Sequence, residues 1–187
     1  MSRFVLISFL VILLAKDVHS QSSDLRFPDP AVLPDNFQKA IVSQVAEFKR
    51  LFHNDSTSKS YSTDFMLGKI DNDSNYNYLF LAEYWIAFHY KEIIPELIKR
   101  LTIKEEIGLI NSADLIIWER IENKQMKFYG HGYNCSDDLF TIAGRANRLL
   151  TVITGENFGH VSMYSTKEQL LELHSSWIKW LKKLSQN

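Results

Sequence analysis

Apolar residues recur at helical spacing along most of the chain. Phe37, Ile41, Val45, Phe48 and Phe52 share one helical face, which predicts an amphipathic helix capped by Asp35 and ending near His53. The polar run HNDSTSKSYSTD that follows has no period and predicts a loop, then a short helix over 64–70 ended by DNDSN. Residues 75–90, NYNYLFLAEYWIAFHY, are apolar or aromatic nearly all round, so this helix is expected to be buried on most sides, with Tyr76, Tyr78, Tyr84, Trp85 and Phe88 in the core. KEIIPELIKRL then opens a new helix with Pro95 tolerated in its first turn, and residues 90–93 read as a tight helix-helix corner.

NSADLIIWERI, residues 111–121, predicts a short apolar helix behind cap residues, and NKQMKFYGHGYN a loop with room for one short strand. Ser136 is placed to cap a helix over 136–154, with Asp137 and Asp138 in its first turn facing the dipole and Gly155 just past its end. Ser165 and Glu168 form a capping-box pattern before a last helix, where Leu170, Leu173, Trp177, Leu181 and Leu184 make one stripe. Trp180 lies one position off that stripe, so Trp177 is expected to be the more buried. The pattern as a whole predicts an all-α fold of about six helices.

The N-terminus reads differently. Arg3, an apolar stretch over 4–15 and the small-residue pattern Val18-His19-Ser20 make a cleavable secretory signal over 1–20. That stretch is shorter than the roughly 20 apolar residues that cross a bilayer, so the expected product starts at Gln21, secreted or periplasmic, with no membrane attachment. Residues 21–35, with Pro28, Pro30 and Pro34, predict an extended surface arm. Residues 36–187 are left as a single helical domain.

Without Arg3, Lys16 and Asp17 the 21 basic and 22 acidic residues become 19 and 21, a net charge of −2. That balance offers nothing to nucleic acid or an anionic membrane. A lone cysteine, Cys135, leaves an oxidising compartment no intrachain disulfide, so packing alone must hold the fold. Asn54, Asn72 and Asn134 begin Asn-x-Ser sequons.

Glu92 and Asp137 each stand near a helix start and lie 45 residues apart, within the period of about 40 to 47 residues of HEAT and armadillo repeats. EIIPELIKRL resembles the second helix of a HEAT hairpin. RLLTVITGENFGHVSMYSTKEQLLELHSSWIKWLKKL, residues 148–184, is similar to the terminal segment of HEAT-like repeats in secreted bacterial proteins, with its Thr-Gly helix end, Phe-Gly loop and W-x-x-W capping helix. The chain departs from that family in having too few hairpins for a long solenoid. The resemblance implies a compact stack of about two hairpins closed by a C-terminal capping helix, and a scaffold or binding role.

The densest chemistry is YGHGYNCSDD, residues 129–138. A Cys–His hydrolytic site would use Cys135 or a carboxylate with His131, but the stretch does not name the base and the orienting group it requires, and a metal would need two or three of these ligands converging. H-x3-C is not a zinc spacing and no second cysteine exists, so neither metal nor cofactor is expected. The structural alternative uses nearly every residue: Gly130 and Gly132 turn the chain, Ser136 caps, and the two aspartates meet the dipole. His131 and His160 would stand at opposite ends of the 136–154 helix, about 25 Å apart. Glu83 on the aromatic helix needs a partner such as Arg145 or solvent, and Glu119 and Arg120 are expected as solvated ends of their helix. The sequence therefore points to a non-enzymatic module that binds another protein, with His131, Tyr133, Cys135, Asp137 and Asp138 as its candidate binding residues. The alternative is a small secreted hydrolase using the His131, Cys135 and Asp137 loop.

Overall fold

The computed structural model describes residues 25–112, 115–128 and 132–185; the expected signal at 1–20 and His131 lie outside them. The described residues are mostly helical, in keeping with the all-α reading. In chain order they form α1 (Asp35–Leu51), α2 (Ser56–Lys59), α3 (Thr63–Asn72), α4 (Tyr76–Arg100), β1 (Leu115–Ile116), α5 (Trp118–Glu122), β2 (Tyr133–Asn134), α6 (Ile142–Thr154) and α7 (Lys167–Lys183).

The core is a triangle of α1, α4 and α6 flanked by α3 and α7. The aromatic helix is central, as its composition demands. Tyr76 and Trp85 are buried, and Tyr84 and Phe88 are partly buried against the core. Phe37 and Phe48 bring α1 onto it, and Ala143, Ala146, Leu150 and Ile153 bring α6. Trp177 of α7 is fully buried and Trp180 is 8% exposed, the order the stripe predicts. The arm is extended but docked: Leu25 is buried, the Phe27 ring meets Phe37 and Tyr90 edge-on, and Val32 N–H donates to Leu184 O. A surface-running arm would leave these apolar side chains in water.

Several local expectations are corrected. Asp35 is the first helical residue and Pro34 occupies the cap position. The polar run after His53 contains α2, because the Asp55 carboxylate accepts from Thr57 and Ser58 N–H and nucleates a turn. The expected break between two helical stretches falls at His89, one residue before 90–93: α4 is kinked there (φ −128°, ψ 16°), with Pro95 in its second stretch. The kinked residue is held by stacking on Trp85 at 4.2 Å and by Nε2–H donating to Lys59 O at 3.0 Å. Residues 111–121 do not form one helix. Leu115 and Ile116 pair in parallel with Tyr133 and Asn134, and only then does α5 begin. The final capping box is Thr166 with Gln169, one residue beyond the expected pair, since the Ser165 hydroxyl accepts from Ser162 N–H instead.

Candidate functional site

Ser136 does not cap α6. The helix starts at Ile142, and the Thr141 hydroxyl caps it by accepting from Gly144 N–H at 3.1 Å while donating to Asp138 O at 2.9 Å. Residues 135–140 fold back over the first turn so closely that a Cβ on Gly144 would collide with the Asp138 carbonyl. The two aspartates therefore cannot sit in the first turn; the chain reversal buries both of them.

Once buried, each carboxylate must find partners. Asp138 takes a bidentate pair from Arg120, Nε at 3.2 Å and Nη2 at 2.8 Å, and accepts from Phe140 N–H. Arg120 is itself buried and also reaches Glu106 and Gln125, so it is no solvated helix end. Asp137 Oδ1 accepts from Asn147 Nδ2 and from Val161 N–H, both at 2.8 Å. Burial pushes the Asp137 carboxyl above its usual range, and these bonds only partly offset it. Asn147 continues the network by donating to Gly159 O and accepting from the Trp177 indole N–H at 3.0 Å. One side chain of α6 thus ties the 135–138 loop, the 159–161 segment and α7 together.

That network brings back the chain beyond α6. Asp138 N–H donates to Val161 O at 2.7 Å, so residues 155–161 run alongside α6 instead of leaving from its far end. His160 consequently lines one cavity with Cys135, Ser136, Asp137 and Asp138; its expected separation from His131 concerns a residue outside the described ones. This cavity, about 310 Å³, is also walled by Trp118 and Glu119. Glu119 accepts from the Ser162 hydroxyl and Met163 N–H, which locks α5 to the 162–163 turn and removes it from the solvated class.

Cys135 follows β2, and its N–H donates to Ile116 O. The thiol is buried, and desolvation pushes it up to about 11. At neutral pH it is protonated and a poor nucleophile. It shares the cavity with His160, but no hydrogen bond joins the two among the described residues. No three His, Cys, Asp or Glu side chains converge there either, among the described residues. Tyr133 is half exposed, with its hydroxyl 2.9 Å from that of Tyr76 and its ring beside Arg148. Arg148, and not Arg145, pairs with Glu83 at 2.8 Å. Arg145 is fully engaged elsewhere, donating to the carbonyls of Leu139, Ile70, Asp73 and Gly108 and so fastening three loops to α6.

Of the residues singled out in the sequence, Cys135, Asp137 and Asp138 meet at one cavity and Tyr133 lies beside it. Asn147, Arg120, Glu119 and His160 were missed. Their signal was present: Arg145, Asn147 and Arg148 interrupt an otherwise apolar helix, and a polar residue on a buried face has to be satisfied by something remote.

Trp118, 47% exposed, lines the cavity beside its polar residues. Tyr133, next to the lining residue Asn134, and Phe158 and Tyr164 of the 155–165 segment are exposed as well. No helix among the described residues is long and apolar enough to cross a membrane. Known protein families, curated proteins and solved structures were each compared with the chain, and none of them matches it.

Proposed function

We propose that this chain is a secreted or periplasmic, non-enzymatic helical module that binds another protein through the face built by α5, β2 and the 155–165 segment. The α1, α4 and α6 core with α7 across it suits a short HEAT-like stack closed by a C-terminal capping helix, and the N-terminal sequence suits export. One observation carries the reading. The groups that would do chemistry are consumed in holding the loops, whereas Trp118 and Tyr133 stand exposed beside them and Phe158 and Tyr164 stand exposed on the 155–165 segment that the same bonds brace. Aromatic side chains held on well-braced loops are the usual anchors of protein interfaces. Cys135, Asp137 and Asp138 then act from beneath, by shaping the surface.

The hydrolase reading keeps one supporting fact, the shared cavity of Cys135, Asp137 and His160, and has against it a thiol that burial keeps protonated. Quantitative affinity capture from a native extract separates the two. A stoichiometric protein retained by the wild type and lost on Trp118→Ala with Tyr133→Ala, at an unchanged unfolding midpoint, is the expected result. Hydrolysis of a substrate that vanishes in Cys135→Ser would overturn it.

A further inference from the structure

One face of α7 carries a groove at the edge of the core. Two cavities, about 490 Å³ and about 390 Å³, lie end to end along it and share Phe158 and Ser176. Gln169, Leu173, Ser176, Trp180 and Lys183 line them at alternating spacings of four and three, one continuous helical face. From Gln169 to Lys183 that face runs for about 21 Å at 1.5 Å per residue.

The opposite wall is the segment after α6. Phe158, Gly159, His160, Ser162, Tyr164 and Ser165 line it, and the extended stretch is 160–162, between a bend at Phe158 and a turn at 163–164. Backbone hydrogen bonds tie this stretch to the body: Gly159 O accepts from Asn147, and Val161 uses both its N–H and its C=O, on Asp137 and Asp138. His160, exposed, makes no backbone hydrogen bond among the described residues through either its N–H or its C=O. A short extended stretch bonded inward at Val161 and unpaired at His160 is a one-residue edge able to pair with a further extended chain. Charge differs along the groove: Glu172 lines one cavity, and the other has two lysines beside Glu156, whose carboxylate accepts from Asn36. Lys179 and Lys183 are exposed there, and neither makes an ion pair among the described residues.

From these features we infer that the groove takes an extended segment of a partner protein, about six residues long at about 3.3 Å per residue, carrying aspartate or glutamate where it passes Lys179 and Lys183. Main-chain hydrogen bonds to His160 fix its register. Phe158, over the edge of Trp180, receives its apolar side chains, and the two lysines select its acidic ones. The inference rests on the protein-binding reading above and gives that partner a second, sequence-selective contact beside the aromatic face.

The test is a positional-scanning library of N-acetylated hexapeptide amides, probed with the purified protein and with a Lys179→Glu, Lys183→Glu variant of matched unfolding midpoint. Acidic residues are expected at one end of the selected peptides, and the double variant is expected to prefer lysine or arginine there and to bind the original best peptide at least tenfold more weakly. Ser176→Arg, which fills the groove from a part-exposed position, is expected to abolish binding, and the His160 amide is expected to exchange more slowly with peptide bound. Absence of selection at every position, or acidic selection that survives charge reversal, overturns the inference. Capture of the whole partner distinguishes the two levels. Capture that depends on Trp118 but not on the groove variants leaves the binding module standing and removes the peptide groove. Peptide selection without any capture does the reverse, removing the aromatic face as the partner's anchor.

Discussion

Replacing Asp138 with asparagine separates a buried ion pair from a helix-end charge. Had Asp138 stood in the first turn of α6, its interaction with the dipole would be worth about 0.3 to 1 kcal/mol. Instead its side chain is 2% exposed and that of Arg120 6%, joined by two hydrogen bonds at 3.2 and 2.8 Å. Breaking such a pair leaves a guanidinium without its main counter-charge and costs about 3 to 5 kcal/mol. Glu106 and Gln125 still touch Nη1, so the lower end, about 3 kcal/mol, is expected for Asp138→Asn. For a domain of this size that corresponds to a fall in Tm of about 6 to 12 °C. Thermal unfolding followed by circular dichroism, with urea midpoints alongside, reads it directly. A second variant, Arg120→Met with Asp138→Leu, removes both charges and should recover most of the loss, because no buried charge is then left unpaired. A loss below about 1 kcal/mol in Asp138→Asn, or a double variant no better than the single, would refute the argument.

The cap itself is tested by Thr141→Ala, expected to cost about 0.5 to 2 kcal/mol, while Ser136→Ala, exposed and capping nothing, should leave urea midpoints unchanged. Asp137 supplies a pH dependence: burial raises its folded-state pKa, so its contribution is fully present below the unfolded value near 3.9 and is lost as pH rises through the folded one. Wild-type stability relative to Asp137→Asn should therefore fall as pH rises from about 3 and level off once the carboxyl is ionised; a difference that grows with pH would reverse the assignment. Cys135, with its thiol near 11, should be alkylated by iodoacetamide slowly at pH 8, where roughly one thiol in a thousand is ionised, and fast alkylation of native protein would show an accessible thiolate.

What the sequence made legible followed from periodicity. Phe37 to Phe52, the aromatic helix and the Trp177 stripe all lie in elements whose local pattern and tertiary burial agree. The errors fall where a long-range partner decided the local conformation. Ser136 and Thr141 are both credible caps in isolation, and the choice went to Thr141 because Arg120 and Val161 draw Asp138 out of any first turn. Leu115 and Ile116 have helical neighbours and yet pair with Tyr133 and Asn134, a contact no window over 111–121 can contain. The same blindness hid the cavity. With residues 136–154 taken as one straight helix, His160 belongs far from Cys135; with the helix opening at Ile142 and the following segment bonded back along it, the two share a wall.

Photo-crosslinking from single positions tests the central claim, that the α5 and β2 face is where another protein binds. Benzoylphenylalanine placed at Trp118 lies on that face; placed at Val42, 69% exposed on α1, it provides an equally accessible control. With the protein exposed to its native extract, the account predicts one discrete adduct from position 118 and none from position 42. Adducts of equal yield from both positions, or from position 42 alone, would contradict it.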